Sequence, residues 1–354
     1  MRSLVLAAAM CGAFAVPATA ATFTGFVGFS DSFNDEGRII GGLNFPSFGD
    51  RFSDGPVWFE QVGERFENRG LTDINLSLGG ATAGPQFDDP TDPTDNVDLY
   101  TAFDALAPVP PGSIPLTNLQ DFNSQIDTYL ALDADVGDHP LYAISLGGND
   151  VLQRGLALGI PQAVEAVFLG ITRLIFEDPA ATQTFLISNF IDPLVTLDLD
   201  PSQLLELSLA SSLVSDVNEV LALSLAVLPL PPNVTIEIFD MFSVFNEIVD
   251  EARLAGLTTD RTCIDGFVNT SLLLGPVPVP GSPECSEGDA PSTFLFGDPV
   301  HPLSFAHDRL AAATIAQLDD RLPPIPLPAG LPLMAGALGL LLVVRRLKAT
   351  GLST

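Results

Sequence analysis

The amino-acid sequence predicts an α/β fold in which helices cover both faces of a central parallel sheet of about five strands. Short apolar runs rich in Phe, Val and Ile recur along the chain, and each is bounded by Gly, Pro, Asn or Asp. These runs are continuous rather than alternating, which is typical of parallel strands that are buried on both faces. Longer stretches with apolar residues at i, i+3 and i+4 separate them and predict helices. The alternation of the two patterns indicates a layered α/β domain.

Five strands and six helices follow from these patterns. The predicted strands comprise residues 23–29, 74–78, 141–146, 184–190 and 234–239, and the predicted helices comprise residues 56–66, 119–132, 163–176, 202–226, 242–255 and 305–318. The connection 85–115 is different, because it is rich in Asp and Pro and has no apolar periodicity. Connections of this length are usually functional or mobile. Its place after the second strand would let it overhang the carboxyl edge of the sheet, where ligands bind in open α/β sheets.

The chain is strongly acidic. Its 354 residues include 14 Lys and Arg against 44 Asp and Glu, which gives a formal net charge of −30. Four of the basic residues lie in the two terminal segments, so the body between them carries only arginines as cations. Because phosphate binding needs clustered Lys and Arg, this composition excludes nucleic acid as a partner. The hydrophobic fraction of 47% is sufficient to bury a sizeable core.

Residues 1–20 have the layout of a secretory signal peptide. Arg2 precedes a short apolar run, and Ala18-Thr19-Ala20 provides the small-residue pattern of a cleavage site. The alternative is a buried first helix. Export implies an oxidising compartment, so Cys263 and Cys285, the two cysteines outside the leader, are expected to form a disulfide. The sequence contains no Cys or His spacing typical of zinc, and no metal is expected.

Residues 323–354 combine a Pro-rich linker, an uncharged apolar segment and the basic cluster Arg345-Arg346-Leu347-Lys348. On Ile325-Pro326-Leu327-Pro328-Ala329 this layout resembles a bacterial sorting tail of the PEP-CTERM type, in its Val-Pro-Leu-Pro-Ala variant. The resemblance implies a sorting protease as a partner, which would remove the tail during export to the cell surface. A permanent single-pass anchor is the alternative, since basic residues after an apolar segment are typical of a stop-transfer end. In both cases residues 21–322 form the outward-facing body.

Polar side chains follow the first and the third predicted strands. Ser32 comes directly after the first strand, and Asn149 comes after the third, behind two glycines. Because the carboxyl ends of parallel strands meet at one edge of the sheet, both side chains are expected there. The alternatives are a capping or turn hydroxyl for Ser32 and a simple turn at Asn149.

The three histidines of the chain are His139, His301 and His307. His301 follows Asp298 by three residues in a turn before the last helix, a spacing that lets the carboxylate reach the imidazole and fix its tautomer. An imidazole is a suitable base for a serine nucleophile. His139 lies at the opposite edge of the sheet and His307 inside the last helix, and both are expected to be solvated or capping residues. Asp298 and His301 are therefore the candidate acid and base.

Four separated blocks resemble those of the GDSL, or SGNH, serine hydrolases. In chain order they are Phe29-Ser30-Asp31-Ser32, Leu78-Gly79-Gly80-Ala81, Gly147-Gly148-Asn149-Asp150 and Asp298-Pro299-Val300-His301-Pro302. Residues 51–58 also resemble the stretch that follows the nucleophile in lipase-like members. The blocks appear in the family's order and span nearly the whole body. The resemblance implies a flavodoxin-like, three-layer α/β/α sandwich that works without a metal or an organic cofactor.

The resemblance also implies a role for each matching residue. Ser32 would be the nucleophile, His301 the general base and then general acid, and Asp298 the group that orients His301. The oxyanion hole would comprise the backbone amides of Ser32 and Gly79 and the side-chain amide of Asn149. Gly80 is the alternative reading of the glycine block.

Two positions depart from the family pattern. Ser30 stands where the family usually has Gly, and Leu303 stands where a threonine is common. If the first position needed a positive φ or a close backbone approach, a serine there would be strained. The departures bear on activity and specificity, because neither replaces a predicted catalytic atom.

The sequence therefore predicts an exported serine esterase or lipase-like acyl hydrolase that acts on a small-molecule or lipid ester through a covalent acyl-enzyme. A carbohydrate acetyl esterase is an alternative within the same resemblance. A catalytically weak, surface-displayed protein that binds glycan or matrix on this scaffold is the alternative from another class.

Overall fold

The structure is a computed structural model of the chain, and it describes residues 22–38, 51–85, 120–193, 204–263, 266–268, 277–279 and 291–322. The predicted signal peptide, most of the predicted overhanging loop and the C-terminal tail lie outside these ranges. Cys285 lies outside them as well, so its disulfide with Cys263 stays a prediction.

Five parallel strands form the central sheet in the order β2-β1-β3-β4-β5. The strands are β1 (Gly25–Ser30), β2 (Thr72–Asn75), β3 (Pro140–Ser145), β4 (Gln183–Ser188) and β5 (Val234–Phe239). The register pairs Ser30 at the end of β1 with Ser145 at the end of β3. The loops that follow these two strands therefore leave the sheet side by side, at its carboxyl edge.

Six α-helices pack on the sheet within the described residues. They are α1 (Trp58–Glu67), α2 (Phe122–Leu132), α3 (Gly148–Glu177), α4 (Leu204–Ala226), α5 (Met241–Leu254) and α6 (Ser304–Leu318). A short antiparallel pair, β6 (Gly266–Val268) and β7 (Val277–Val279), stands apart from the sheet.

The core consists of two apolar layers, one on each face of the sheet. The first contains the buried faces of α1, α5 and α6 and is centred on Trp58, Phe239 and Phe245. The second contains those of α2, α3 and α4 and surrounds Phe29, Tyr142 and Phe185 of the strands. The fold is thus the predicted α/β sandwich with a five-stranded parallel sheet.

Local chemistry explains where the structure departs from the predicted bounds. Helix α3 begins at Gly148, whereas the sequence predicted its start at residue 163. The prediction was too late because Gly155 (φ 70°, ψ 171°) and Pro161 interrupt the apolar periodicity of the first half of the helix. Strand β2 lies earlier than predicted and carries polar, half-buried residues, as an edge strand does.

Helix α3 and residues 208–226 of α4 are long and apolar enough to cross a membrane by length and composition. Helix α3 packs onto the sheet through Ala163, Ile171 and Leu174. These apolar side chains of α3 are therefore part of the core of the domain.

Candidate active site

A sharp turn at the end of β1 presents Ser32 at the carboxyl edge of the sheet. The strand ends at Ser30, and a single turn of 3₁₀-helix begins at Ser32. Asp31 caps this turn, because its Oδ1 atom accepts a hydrogen bond from the Phe33 amide at 3.0 Å. The turn is closed by the amide of Asn34, which donates to the carbonyl of Asp31 at 3.1 Å. The backbone around Ser32 is therefore held from both sides.

Ser30 fits the end of β1 without strain. Asp133 is the one non-glycine residue with a positive φ among the described residues, so Ser30 does not need glycine's backbone freedom. Its hydroxyl donates to the Ser145 carbonyl at 2.7 Å and accepts from the Asn34 side chain at 2.9 Å. Ser30 thus joins β1 to β3 and supports the turn that carries Ser32.

Asp298 and His301 occupy one tight turn before α6. The Oδ1 atom of Asp298 accepts hydrogen bonds from the amides of Val300 and His301, both at 2.8 Å. The Gly297 amide donates to the His301 carbonyl at 2.8 Å and closes the loop from the other side. Asp298 is almost fully buried, so its carboxylate is held by backbone amides rather than by water.

The structure brings Ser32, His301 and Asp298 together across 269 positions of sequence. The Nδ1 atom of His301 lies 2.6 Å from Asp298 Oδ2, and its Nε2 atom lies 2.7 Å from Ser32 Oγ. A carboxylate can only accept, so Nδ1 carries the proton and Nε2 is the acceptor for the serine hydroxyl. This is the tautomer in which an imidazole can remove the proton of Ser32.

Asn149 lies at the start of α3, beside the carboxyl ends of β1 and β3. Its side-chain amide donates one hydrogen bond to the Ala81 carbonyl at 2.8 Å, and an amide group has a second N–H to offer. Gly147 precedes it with a φ of 120°, and a Cβ atom there would lie 2.7 Å from the Phe190 ring. A glycine is therefore required for the backbone to enter α3 at this point.

Gly79 does not occupy the predicted position. Its amide donates to Asp35 Oδ2 at 2.7 Å, so this N–H is directed at a buried carboxylate and not at the reacting centre. Sequence reasoning missed the role of Asp35, although the residue lies only three positions after Ser32. Gly80, the alternative, has a φ of 78° in the same turn.

Asp31 is a second buried carboxyl group at the site. Burial is the main cause that raises its pKa to about 6, and the nearby carboxyl of Asp150 raises it further. The hydrogen bond from Phe33 and the positive charge that His301 can carry act in the opposite direction. Asp150 itself accepts hydrogen bonds from the amides of Ala83 and Gly84 at 2.7 and 2.9 Å, which join the segment after the glycine block to α3.

The other two histidines lie away from the reacting atoms, and both are buried rather than solvated. His307 Nδ1 accepts a hydrogen bond from the Trp58 amide at 3.2 Å, so this histidine caps the first turn of α1. Burial is the main cause that lowers its pKa to about 3. His139 Nε2 lies 3.2 Å from Thr184 Oγ1, at the amino-terminal edge of the sheet.

Phe52 was not predicted as a site residue, but its ring stacks on the His301 imidazole. The two ring centroids are 4.6 Å apart, and the planes are inclined by 29°. The residue belongs to the stretch 51–58 that resembles lipase-like members, and this resemblance was the one sequence feature that pointed to it.

No cluster of three or more His, Cys, Asp or Glu residues that could hold a metal ion occurs in the described ranges.

Comparison with known proteins gives only distant structural similarity. No protein-family model matches the chain, and no curated protein matches it. The solved structures similar to it include an acetylxylan esterase, Axe2, from Geobacillus stearothermophilus (15% identity, TM-score 0.36, 85% of this chain and 96% of that one). An inhibitor-bound aryl esterase of M. smegmatis has 16% identity and a TM-score of 0.31 over 61% of this chain and 83% of its own.

A family two carbohydrate esterase from Clostridium thermocellum, in complex with cellohexaose, is also similar. It has 12% identity and a TM-score of 0.34 over 85% of this chain and 65% of its own. Similarity at this level does not establish a family.

Proposed function

We propose that this protein is a serine esterase that hydrolyses carboxylic esters through a covalent acyl-enzyme on Ser32. The observation that carries the proposal is the unbroken hydrogen-bond chain from Asp298 through His301 to Ser32 Oγ. A buried serine hydroxyl that donates to an oriented imidazole is the arrangement in which serine becomes a nucleophile.

The steps follow from the positions of the atoms. His301 Nε2 takes the proton of Ser32 as Oγ bonds to the ester carbonyl carbon, and Asp298 stabilises the imidazolium that forms. The oxyanion of the tetrahedral intermediate would accept hydrogen bonds from the Asn149 side-chain amide and the Ser32 backbone amide. The intermediate collapses when the C–O bond to the alcohol breaks and His301 gives its proton to the leaving oxygen. A water molecule, deprotonated by His301, then releases the acid and restores Ser32.

A fluorophosphonate probe tests this proposal directly, because it reacts covalently with activated serines. We expect one adduct per chain, on the peptide that contains Ser32, and turnover of short p-nitrophenyl esters. The Ser32→Ala variant should lose both, whereas Ser212→Ala, which changes an exposed serine of α4, should retain both. A folded protein that is not labelled at Ser32 would instead favour the alternative of a catalytically weak glycan- or matrix-binding protein.

Export is a second part of the proposal and rests on the sequence of the two ends. Residues 1–20 would direct the chain across the membrane, and residues 323–354 would anchor or sort it at the surface. Expression of the full chain in a bacterial host, followed by mass determination of the mature N- and C-termini, tests both segments. Recovery of the intact chain in the cytoplasm would contradict export.

A further inference from the structure

The Phe52 ring covers one face of the imidazole that the proposed reaction uses. Its centroid lies 4.6 Å from that of His301, with the planes 29° from parallel. Phe52 is half-buried, whereas His301 is buried, so the phenyl ring is more accessible to solvent than the imidazole. The half-buried phenyl ring therefore keeps apolar surface that a substrate could contact.

The neighbours of Phe52 fix the position of this ring. On one side Arg51 forms a two-pronged ion pair with Glu60, in which Nε lies 2.9 Å and Nη2 2.6 Å from the carboxylate oxygens. On the other side Asp54 accepts a hydrogen bond from the Ser304 amide at 2.7 Å, at the start of α6. Ser53 between them is fully buried. The segment is thus joined both to α1 and to the helix that follows the Asp298–His301 turn.

The chemistry places the alcohol portion of the ester close to Phe52. His301 Nε2 must give its proton to the oxygen of the departing alcohol, so that oxygen comes within hydrogen-bond distance of the imidazole. The groups attached to this oxygen then lie beside the imidazole, close to the phenyl ring that stacks on it. The acyl portion, by contrast, is bonded to Ser32 in the acyl-enzyme. Esters of one acid with different alcohols therefore form the same acyl-enzyme.

We propose that Phe52 is a specificity-determining residue that packs against the alcohol portion of the substrate and favours a neutral ring with an apolar face. The inference rests on the proposed esterase function. Two kinds of alcohol share this chemistry, since both a phenol and a pyranose present a flat surface of carbon to an aromatic ring. An anionic alcohol is disfavoured, because the Asp298 carboxylate contacts His301 and the Asp31 carboxyl lies near enough to interact with it electrostatically.

The test compares wild-type protein with Phe52→Leu on three acetate esters: phenyl acetate, a monoacetylated methyl xylopyranoside and butyl acetate. Leucine keeps an apolar side chain but removes the ring. The ratio of wild-type to variant kcat/KM is taken for each ester, so that intrinsic reactivity cancels. All three esters form the same acetyl-enzyme. Its hydrolysis rate does not depend on the alcohol and therefore serves as an internal control.

We expect kcat/KM to fall about tenfold for the ring-shaped esters and less than twofold for butyl acetate. A loss confined to phenyl acetate identifies an aryl alcohol, and one confined to the xyloside identifies a sugar. Equal losses on all three esters and on acetyl-enzyme hydrolysis would overturn the proposal, because Phe52 would then only hold His301. Unchanged kinetics would overturn it too.

Two controls separate this inference from the function on which it rests. Phe176→Leu removes an exposed ring from α3 and should leave every ratio at one. Fluorophosphonate labelling of Phe52→Leu at Ser32 shows that the reacting atoms remain in place. Failure to label the wild-type protein contradicts the esterase proposal itself, whereas normal labelling with equal losses contradicts only the role of Phe52.

Discussion

The carboxylate of Asp35 binds the backbone amide of Gly79 at 2.7 Å and so joins the turn after β1 to the turn after β2. Its other oxygen accepts from the amides of Gly37 and Arg38, at 2.9 and 2.6 Å. Two residues beyond Gly79, the carbonyl of Ala81 accepts from the Asn149 side chain. Asp35 thus acts on the candidate oxyanion hole through the glycine turn, as a positioning residue.

The Asp35→Asn variant should therefore lose activity as well as stability. An amide in place of the carboxylate presents an N–H group to one of the three backbone donors, and each hydrogen bond to a charged group contributes about 1.5–3 kcal/mol. We expect the free energy of unfolding to fall by about that amount and kcat to fall roughly tenfold, with KM changed less, because the role proposed for Asn149 is to stabilise the transition state. Urea denaturation and ester kinetics measure the two effects.

The exposed Asp250→Asn is the matched control and should change neither quantity. If Asp35→Asn lowers stability but leaves kcat at its wild-type value, Asp35 only supports the fold. A higher KM at constant kcat would likewise contradict a role in positioning Asn149.

Asp298→Asn should separate the orientation of His301 from the fold of its turn. The asparagine oxygen can still accept from the amides of Val300 and His301, so the turn should remain intact. Its NH₂ group, however, faces Nδ1 and favours the wrong imidazole tautomer, and kcat should fall by roughly 10³–10⁴-fold. Steady-state hydrolysis of p-nitrophenyl acetate measures the loss, and the exposed Asp308→Asn on the next helix is the control. Less than a tenfold loss would be inconsistent with the proposed role.

Much of the fold could be predicted because buried parallel strands have a strong local signature. Strand β5 coincides with the predicted residues 234–239. The first half of α3 could not be predicted, since Gly155 and Pro161 look like breaks when the tertiary contacts that hold the kinked helix are unknown. The polar edge strand β2 lacks the continuous apolar run on which the prediction relied.

The contacts of the candidate site also comprise some that the sequence can predict and others that it cannot. Asp298 and His301 are three residues apart, so their contact is a local property that spacing can indicate. The binding of Gly79 by Asp35 and the stacking of Phe52 on His301 join segments distant in sequence, and no local pattern determines them. The Gly79 amide, predicted as an oxyanion donor, donates to Asp35 in this structure, and its spacing in the sequence could not indicate that contact.

Replacement of Ser30 by glycine should destabilise the protein. Ser30→Gly removes the hydroxyl that donates to the Ser145 carbonyl and accepts from the Asn34 side-chain NH₂ group, which leaves buried polar groups without that partner. Each unsatisfied group costs about 1–3 kcal/mol, and glycine in a strand adds a further entropic cost. We expect urea denaturation to show a loss of about 2 kcal/mol. A variant as stable as wild type would contradict the assignment.

His307 should make the protein sensitive to acid. Its folded-state pKa of about 3 lies below the ordinary value of 6.5, chiefly because the ring is buried against Phe33 and Trp58. Below pH 6.5 the unfolded chain binds a proton that the folded chain does not, so stability falls as the pH falls, by up to about 1.4 kcal/mol per unit. His307→Gln keeps an acceptor for the Trp58 amide and should lack this slope. Urea denaturation between pH 7 and 5 measures the free energy of unfolding of both proteins. If it changes with pH equally in wild type and in His307→Gln, the prediction is contradicted.

Asp31 should have the opposite dependence on pH. Burial raises its folded-state pKa to about 6 from 3.8, so the folded chain holds a proton between these values that the unfolded chain has released. Stability therefore falls as the pH rises from about 4 to 6, by a total on the order of 3 kcal/mol, and the loss is complete above pH 6. Asp31→Asn keeps an oxygen for the Phe33 amide but carries no charge, so it should exceed the wild-type stability at pH 7 and match it near pH 4. Acids distant from Asp31 titrate alike in both proteins, so the difference between their urea denaturation curves reports on Asp31 and its coupling to Asp150. An equal difference at the two pH values would show that the ionised carboxylate is not disfavoured at this site.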